Sequence, residues 1–189
     1  METPNSVRRV AVIGAGTIGA SWAAYFLSRG LEVSVQDPSA AREDAVHGMI
    51  REAWPILEKL GMAPGADPDR WRFTTDPREA ARGADFVQES APERNDVKIE
   101  LYGMLEEVLA DDAIISSSTS GLLMSELQQG RRAPGRFVVG HPFNPPHRGA
   151  PTRYLRPAST APASDRRARG RSPTHSASSK HARAAGRSR

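Results

Sequence analysis

The stretch "VAVIGAGTIGASWAAYFLSRGLEVSVQD", residues 10–37, decides the fold class. It opens with a β-branched run that lacks polar alternation, as in a strand covered on both faces of a sheet. A glycine-rich turn, a helical pattern over about 17–29, Gly30 as the helix stop and a second strand over 32–36 follow. Together these segments predict a βαβ unit, the building block of a parallel α/β sheet.

The turn of this unit has the pattern G-x-G-x-x-G. In that position the first glycine permits a tight turn, the second lets a pyrophosphate approach the backbone, and the third allows close packing of helix on strand. The unpaired N–H groups and positive dipole end of the helix then face the phosphates. The sequence therefore predicts a dinucleotide site whose turn residues are Gly14, Ala15, Gly16, Thr17, Ile18 and Gly19.

An acidic residue, Asp37, ends the second strand 18 residues beyond the last glycine. Its carboxylate can accept hydrogen bonds from both adenine-ribose hydroxyls and would repel a 2′-phosphate. We therefore expect NAD rather than NADP as the cofactor.

Strands and helices alternate through the rest of the first 147 residues. A long helical pattern ends near Gly61, and Pro55 is expected to kink or break it. Further strands are predicted in "DRWRFTTD", "DFVQES", "AIISSST" and "RFVVG", with helical patterns between them. The alternation predicts a Rossmann-type, doubly wound α/β fold with a mostly parallel sheet in residues 1–147.

Residues 148–189 differ in composition from the part before them. They contain 11 Lys and Arg against one acidic residue, whereas residues 1–147 contain 15 against 21. Tyr154 and Leu155 are their only large apolar side chains, so we expect a disordered basic tail. An out-of-frame reading of the gene would produce such a segment. A basic arm for nucleic acid is the less favoured interpretation, because interleaved aromatics and a folded recognition module are missing.

The composition also excludes several classes of protein. The chain has no cysteine for disulfides or thiolate chemistry, no metal-ligand constellation, and no apolar run near the ~20 residues that span a bilayer. The N-terminus enters a strand almost at once and lacks a signal-peptide core. We expect a cytoplasmic protein with a small-molecule substrate, no membrane association and no specific nucleic-acid partner.

Four ordered motifs resemble one known family. Residues 10–37, "FVQESAPER" (86–94), "SSSTSGL" (116–122) and "GHPFNPP" (140–146) are similar to the NAD-binding domain of the L-3-hydroxyacyl-CoA dehydrogenase family. The proline-bearing motifs look closest to its short-substrate branch, the carnitine 3-dehydrogenases and lambda-crystallin-like gulonate dehydrogenases. The resemblance covers about residues 7–147.

The resemblance implies roles for five further residues. Glu93 and Lys98 match family residues that contact the cofactor. Ser120 would contribute to the cofactor site as well, and its hydroxyl would bond the reacting oxygen of the substrate. His141 matches the catalytic base, a task that suits an imidazole because its charge changes near neutral pH. Asn144 would lie near nicotinamide and substrate. From the residues alone, the first four would be a helix-start acid, a surface lysine, a turn serine and a structural histidine.

The chain departs from the family after His147. Family members carry a glutamate twelve residues after the histidine that orients it, but here that position is Arg153. Pro151 also disfavours a buried strand in this segment. The helical C-terminal domain of the family, which closes the cleft and forms the homodimer, is not seen in this sequence, so we expect this chain to be unable to form that dimer.

The expected function is hydride transfer between NAD and the 3-hydroxy group of a short 3-hydroxy acid or acyl-CoA, impaired in this chain. A carnitine-like substrate is favoured. Arg42 and Arg51 do not decide whether CoA is bound instead. The alternative is a non-catalytic module that only binds NAD(H).

Overall fold

The computed structural model describes residues 7–142 and the backbone of residues 153–155. All of them belong to the unit Met1–Ala158, and the second unit, Ser159–Arg189, lies outside the described residues. The strands are β1 (Arg9–Ile13), β2 (Glu32–Gln36), β3 (Trp71–Thr74), β4 (Phe86–Glu89), β5 (Ile114–Ser117), β6 (Phe137–His141) and β7 (Arg153–Leu155). The helices are α1 (Thr17–Ser28), α2 (Arg42–Leu60), α3 (Pro77–Ala81), α4 (Asn95–Glu106) and α5 (Met124–Leu127).

The strands form one sheet in the order β3-β2-β1-β4-β5-β6-β7. Strands β1 to β6 are parallel, and β7 pairs antiparallel with β6. This is the predicted doubly wound, mostly parallel sheet. The strand order reverses between β1 and β4, where open α/β sheets form their ligand crevice at the carboxyl ends of the strands.

Apolar packing covers both faces of the sheet, as the unbroken β-branched strands predicted. On one face Val10, Val12, Val33 and Val35 pack against α1 and α2. On the other face a second cluster joins alternate strand residues to α3, α4 and α5. Since both faces are covered, the carboxyl edge is left as the place where polar side chains gather.

Helix α2 runs without a break through Pro55, so the break considered from the sequence is absent. The proline removes one backbone donor, but Val46, Ile50 and Leu57 are fully buried on either side of it. Burial of that apolar face against α1 stabilises the helix more than the lost hydrogen bond destabilises it. The helix ends before Gly61, whose φ of +90° suits glycine.

Residues 153–155 form the short strand β7, which differs from the expectation of a structureless chain from residue 148 onward. An edge strand needs pairing on one side only, so a short segment that follows a proline can still form one. The rest of the predicted tail lies outside the described residues. Within the part of the chain that is described, no helix is long and apolar enough to cross a membrane.

Candidate functional site

The glycine turn between β1 and α1 has the geometry that its pattern requires. Gly14 has a φ of +91°, and its N–H donates to the Gln36 carbonyl over 2.8 Å. A Cβ on Gly19 would lie 1.8 Å from the Gly14 carbonyl oxygen, whereas a Cβ on Gly16 would meet nothing within 4 Å. The first and third glycines are therefore demanded by the fold, while the second leaves open space in front of the helix.

Asp37 lies beside this turn, directly after β2. Its Oδ2 accepts from the Ala15 N–H over 3.0 Å, and its Oδ1 accepts from the Ser39 N–H over 3.0 Å. Each carboxylate oxygen has room for a second donor, because an ionised carboxylate offers about four acceptor positions. A pair of ribose hydroxyls can therefore bind to an acid whose orientation is already fixed.

A cleft of about 650 Å³ extends from the glycine turn past Asp37 to helix α4. Its lining is mostly apolar and includes Ile13, Pro38, Pro77, Pro92, Val97, Leu101 and Met104. An adenine ring fits such a slot, because a flat heteroaromatic group is bound by apolar walls and a few polar contacts. The open space at Gly16, the fixed carboxylate and this slot together fit a dinucleotide.

The sequence does not decide whether Arg42 and Arg51 bind CoA. Arg42 lines the same cleft as Asp37. Arg51 instead forms an exposed ion pair with Asp69, 2.7 Å from Nη2 to Oδ1. Neither arrangement identifies a separate CoA site.

Glu93 fixes the loop after β5, residues 118–121, here called the Ser120 loop. Its Oε1 accepts from the Thr119 hydroxyl over 2.6 Å and from the N–H groups of Ser120 and Gly121 over 2.8 and 3.0 Å. Burial opposes ionisation of this carboxyl, but the three donors and the nearby Lys98 outweigh it and lower its pKa to about 2. Glu93 is therefore a carboxylate at neutral pH, and it holds the backbone of the exposed Ser120.

Lys98 is 1% exposed and so is not the surface lysine that its sequence context alone suggested. Its ammonium lies 2.5 Å from Glu89 Oε1, 3.3 Å from the Ala91 carbonyl oxygen and 3.7 Å from Glu93 Oε2. Glu89 is itself fully buried at the end of β4. Lys98 therefore joins the end of β4 to Ala91 and Glu93 in the β4–α4 loop.

His141 is the last residue of β6 and is exposed. In the antiparallel pair of β6 and β7 it lies opposite Arg153. Position 153, which the resemblance predicts to orient the imidazole, is therefore the cross-strand neighbour of His141. The residue at this position is an arginine. Asn144 lies outside the described residues.

The structure thus brings most of the predicted residues to one edge of the sheet. The glycine turn, Asp37, Glu93, Ser120 and His141 all follow the carboxyl ends of parallel strands. The sequence reading missed Glu89 together with two of its hydrogen-bond donors, Tyr102 and Ser117. The signal that could have identified Glu89 is its place as an acid at the end of a buried strand, in "DFVQES".

A family model agrees with this geometry. Residues 9–150 match the model described as "3-hydroxyacyl-CoA dehydrogenase, NAD binding domain". The chain belongs to this family. Its cofactor is accordingly NAD, as the glycine turn and Asp37 predicted.

Within the family, the chain is similar to L-carnitine dehydrogenases. L-carnitine dehydrogenase of Nocardiopsis dassonvillei is 51% identical over 145 residues, which are 77% of this chain and 44% of that protein. The L-carnitine dehydrogenase of Pseudomonas putida is 48% identical over 139 residues, 74% of this chain and 43% of that protein. The chain therefore spans less than half the length of the curated relatives that it matches.

Solved structures give the same fold. The NAD⁺-dependent 5-formyl-3-hydroxy-2-methylpyridine 4-carboxylic acid 5-dehydrogenase has a TM-score of 0.74 and 32% identity, covering 86% of this chain and 53% of that one. The (S)-3-hydroxybutyryl-CoA dehydrogenase PaaH1 of Ralstonia eutropha has a TM-score of 0.70 and 27% identity, covering 80% and 55%.

Proposed function

We propose that this chain is the NAD-binding part of a dehydrogenase that oxidises the 3-hydroxyl of a short, carnitine-like substrate. The observation that carries the proposal is the shared edge of the sheet. The loops after β4 and β5 and the end of β6 present Glu93, Ser120 and His141 along the same edge of the sheet as the dinucleotide turn. The identity to L-carnitine dehydrogenases supports the choice of substrate over an acyl-CoA.

The residues have complementary tasks in this reaction. NAD, which the glycine turn and Asp37 would hold, would supply the hydride acceptor for oxidation of the alcohol to a ketone. His141 takes the hydroxyl proton as the C–H bond breaks, so that charge and atoms balance. The Ser120 hydroxyl donates a hydrogen bond to the reacting oxygen, and Glu93 holds that loop in place. Asn144, outside the described residues, is proposed to lie near nicotinamide and substrate.

We further propose that turnover by this chain is weak or absent. A base works best when a carboxylate fixes its orientation and stabilises its protonated form. Arg153 lies opposite His141 and offers a cation instead. This observation favours the second candidate function, a module that binds NAD(H) without catalysis.

Two measurements on the purified chain separate these functions. Fluorescence titration with NADH tests the cofactor site, and a steady-state assay with NAD⁺ tests L-carnitine, gulonate and 3-hydroxybutyryl-CoA. We expect saturable NADH binding together with turnover of L-carnitine that is weak or undetectable. Absence of NADH binding would overturn the cofactor site, and efficient turnover would overturn the role given to Arg153.

A further inference from the structure

We propose that Glu89 is a positioning residue for the active site, acting through Lys98 and Glu93 on the Ser120 loop. Glu89 does not line the cleft, and its side chain is fully buried. The inference rests on the proposed function in so far as the Ser120 loop serves a dehydrogenase.

The two oxygens of the Glu89 carboxylate face different groups. Oε2 accepts from the Tyr102 hydroxyl over 2.8 Å and from the Ser117 hydroxyl over 2.6 Å. Oε1 accepts from the Ala91 N–H over 2.6 Å and from the Lys98 ammonium over 2.5 Å. Four donors therefore fix one carboxylate where β4, α4, β5 and the β4–α4 loop meet.

Lys98 connects the buried Glu89 to the more exposed Glu93. Its ammonium bonds Glu89 on its buried side and lies 3.7 Å from Glu93 Oε2, a carboxylate whose side chain is 41% exposed. It also donates to the Ala91 carbonyl over 3.3 Å. A lysine side chain has many rotamers, and the pairing with Glu89 selects the one that meets Glu93.

Glu93 completes the connection, because its other oxygen holds Thr119, Ser120 and Gly121. The path therefore consists of direct contacts from a buried carboxylate to the backbone of the predicted substrate-binding serine. A buried ion pair contributes little to stability compared with apolar packing of the same volume. Its position under the Ser120 loop is better explained by the arrangement that it imposes.

Glu89→Gln is the first test. The amide is nearly isosteric and still accepts from Tyr102 and Ser117 through one oxygen, but its NH₂ group then faces Lys98. We expect the backbone N–H groups of Ser120 and Gly121, which Glu93 protects, to exchange with solvent roughly tenfold faster. The dissociation constant for NADH should rise by a similar factor. Amide exchange is followed by NMR, and NADH binding by fluorescence.

Tyr102→Phe is the matched control, because it removes one donor to the same carboxylate on the side away from Lys98. We expect it to lower the melting temperature while leaving the exchange of Ser120 and Gly121 and the affinity for NADH unchanged. If Glu89→Gln does not fold, Glu89→Gln with Lys98→Met removes both buried charges together. That double variant should show the same loss of protection.

The outcomes are distinct. Unchanged exchange at Ser120 and Gly121 in a folded Glu89 variant overturns the proposal, whatever happens to NADH. Faster exchange with unchanged NADH affinity also overturns it, since Lys98 and Glu93, through which Glu89 is proposed to act, are the predicted cofactor contacts. If the unsubstituted chain fails to bind NADH while Glu89→Gln loosens the loop, the positioning role stands and the proposed function fails.

Discussion

His141 and Arg153 lie directly opposite each other in the antiparallel pair of β6 and β7. Residues in that relationship have Cα atoms about 4.5–5.5 Å apart. The register therefore places the backbone of position 153, to which the family resemblance assigns the orienting residue, directly across from His141. In the proposed reaction, the identity of this one residue should affect catalysis without altering the cofactor turn.

Arg153→Glu should raise the turnover of L-carnitine with NAD⁺. A carboxylate at this position would fix the imidazole and stabilise its protonated form, and we expect a gain of roughly tenfold or more. Steady-state production of NADH measures it. Arg153→Gln is the control, because it removes the cation without adding a carboxylate. Equal rates for the two variants would contradict an orienting role for position 153.

Asp37→Asn should weaken NADH binding and reduce the preference for NADH over NADPH. The amide accepts less strongly from ribose hydroxyls and no longer repels a 2′-phosphate, so we expect about a tenfold loss for NADH. Asp85 provides a matched control, since its Oδ2 accepts from the N–H groups of Arg8 and Arg9 at the other end of β1. Asp85→Asn should lower stability and leave both affinities unchanged. An equal loss of NADH affinity in the two variants would point to a structural effect of Asp37.

The glycines of the turn should respond differently to alanine. Gly16→Ala should fold normally, since its Cβ meets nothing within 4 Å, but should weaken NADH binding about tenfold by filling the approach to the pyrophosphate. Gly19→Ala should not fold stably, because its Cβ would lie 1.8 Å from the Gly14 carbonyl oxygen. Gly48→Ala, in open space on α2, should add up to about 1 kcal/mol of stability and leave binding unchanged. Melting temperatures and NADH titrations test all three, and an unaffected Gly16→Ala would remove that glycine from the cofactor site.

The sequence was sufficient for the fold because local signals and burial agree. The strand residues 10–13 and 33–35 are apolar or small, and the glycines have fixed steric tasks. The Glu89–Lys98 pair was not predictable in this way. Lys98 lies in the first turn of α4, where the sequence pattern indicates an exposed side chain. Its burial follows only from the packing of α4 against β4 and β5. Strand β7 was missed because pairing at an edge depends on the partner strand rather than on local propensity.

Acid should remove the stabilisation that Glu93 contributes. Its pKa is lowered from an ordinary 4.5 to about 2 in the folded state. The unfolded chain therefore takes up the proton first as pH falls, so the contribution is complete above pH 4.5 and is lost as pH falls through about 2. In urea denaturation from pH 7 to pH 2.5, the stability of Glu93→Gln should approach that of the unsubstituted chain as the pH drops.

Glu107→Gln is the comparison for this experiment. The hydrogen bond from Arg78 lowers the pKa of the Glu107 carboxyl, but this pair is exposed on the surface. Surface pairs of this kind contribute little, so its pH-dependent difference should be much smaller. A constant difference between Glu93→Gln and the unsubstituted chain at every pH would contradict the ionised state assigned to Glu93.

Gly140 lets β6 pack closely against β5, because a Cβ at this position would lie 2.1 Å from Ser116 Oγ. That hydroxyl is buried and has no hydrogen-bond partner among the described residues. Gly140→Ala should therefore push β6 away from β5, displace the adjacent His141, and cost about 1–3 kcal/mol as overpacking.

Ser116→Ala should be nearly neutral, and its remaining Cβ would lie 3.5 Å from the new methyl group. The double variant should recover most of the melting temperature that Gly140→Ala loses. Additive losses would mean that Gly140 is required for its backbone rather than for the space beside Ser116.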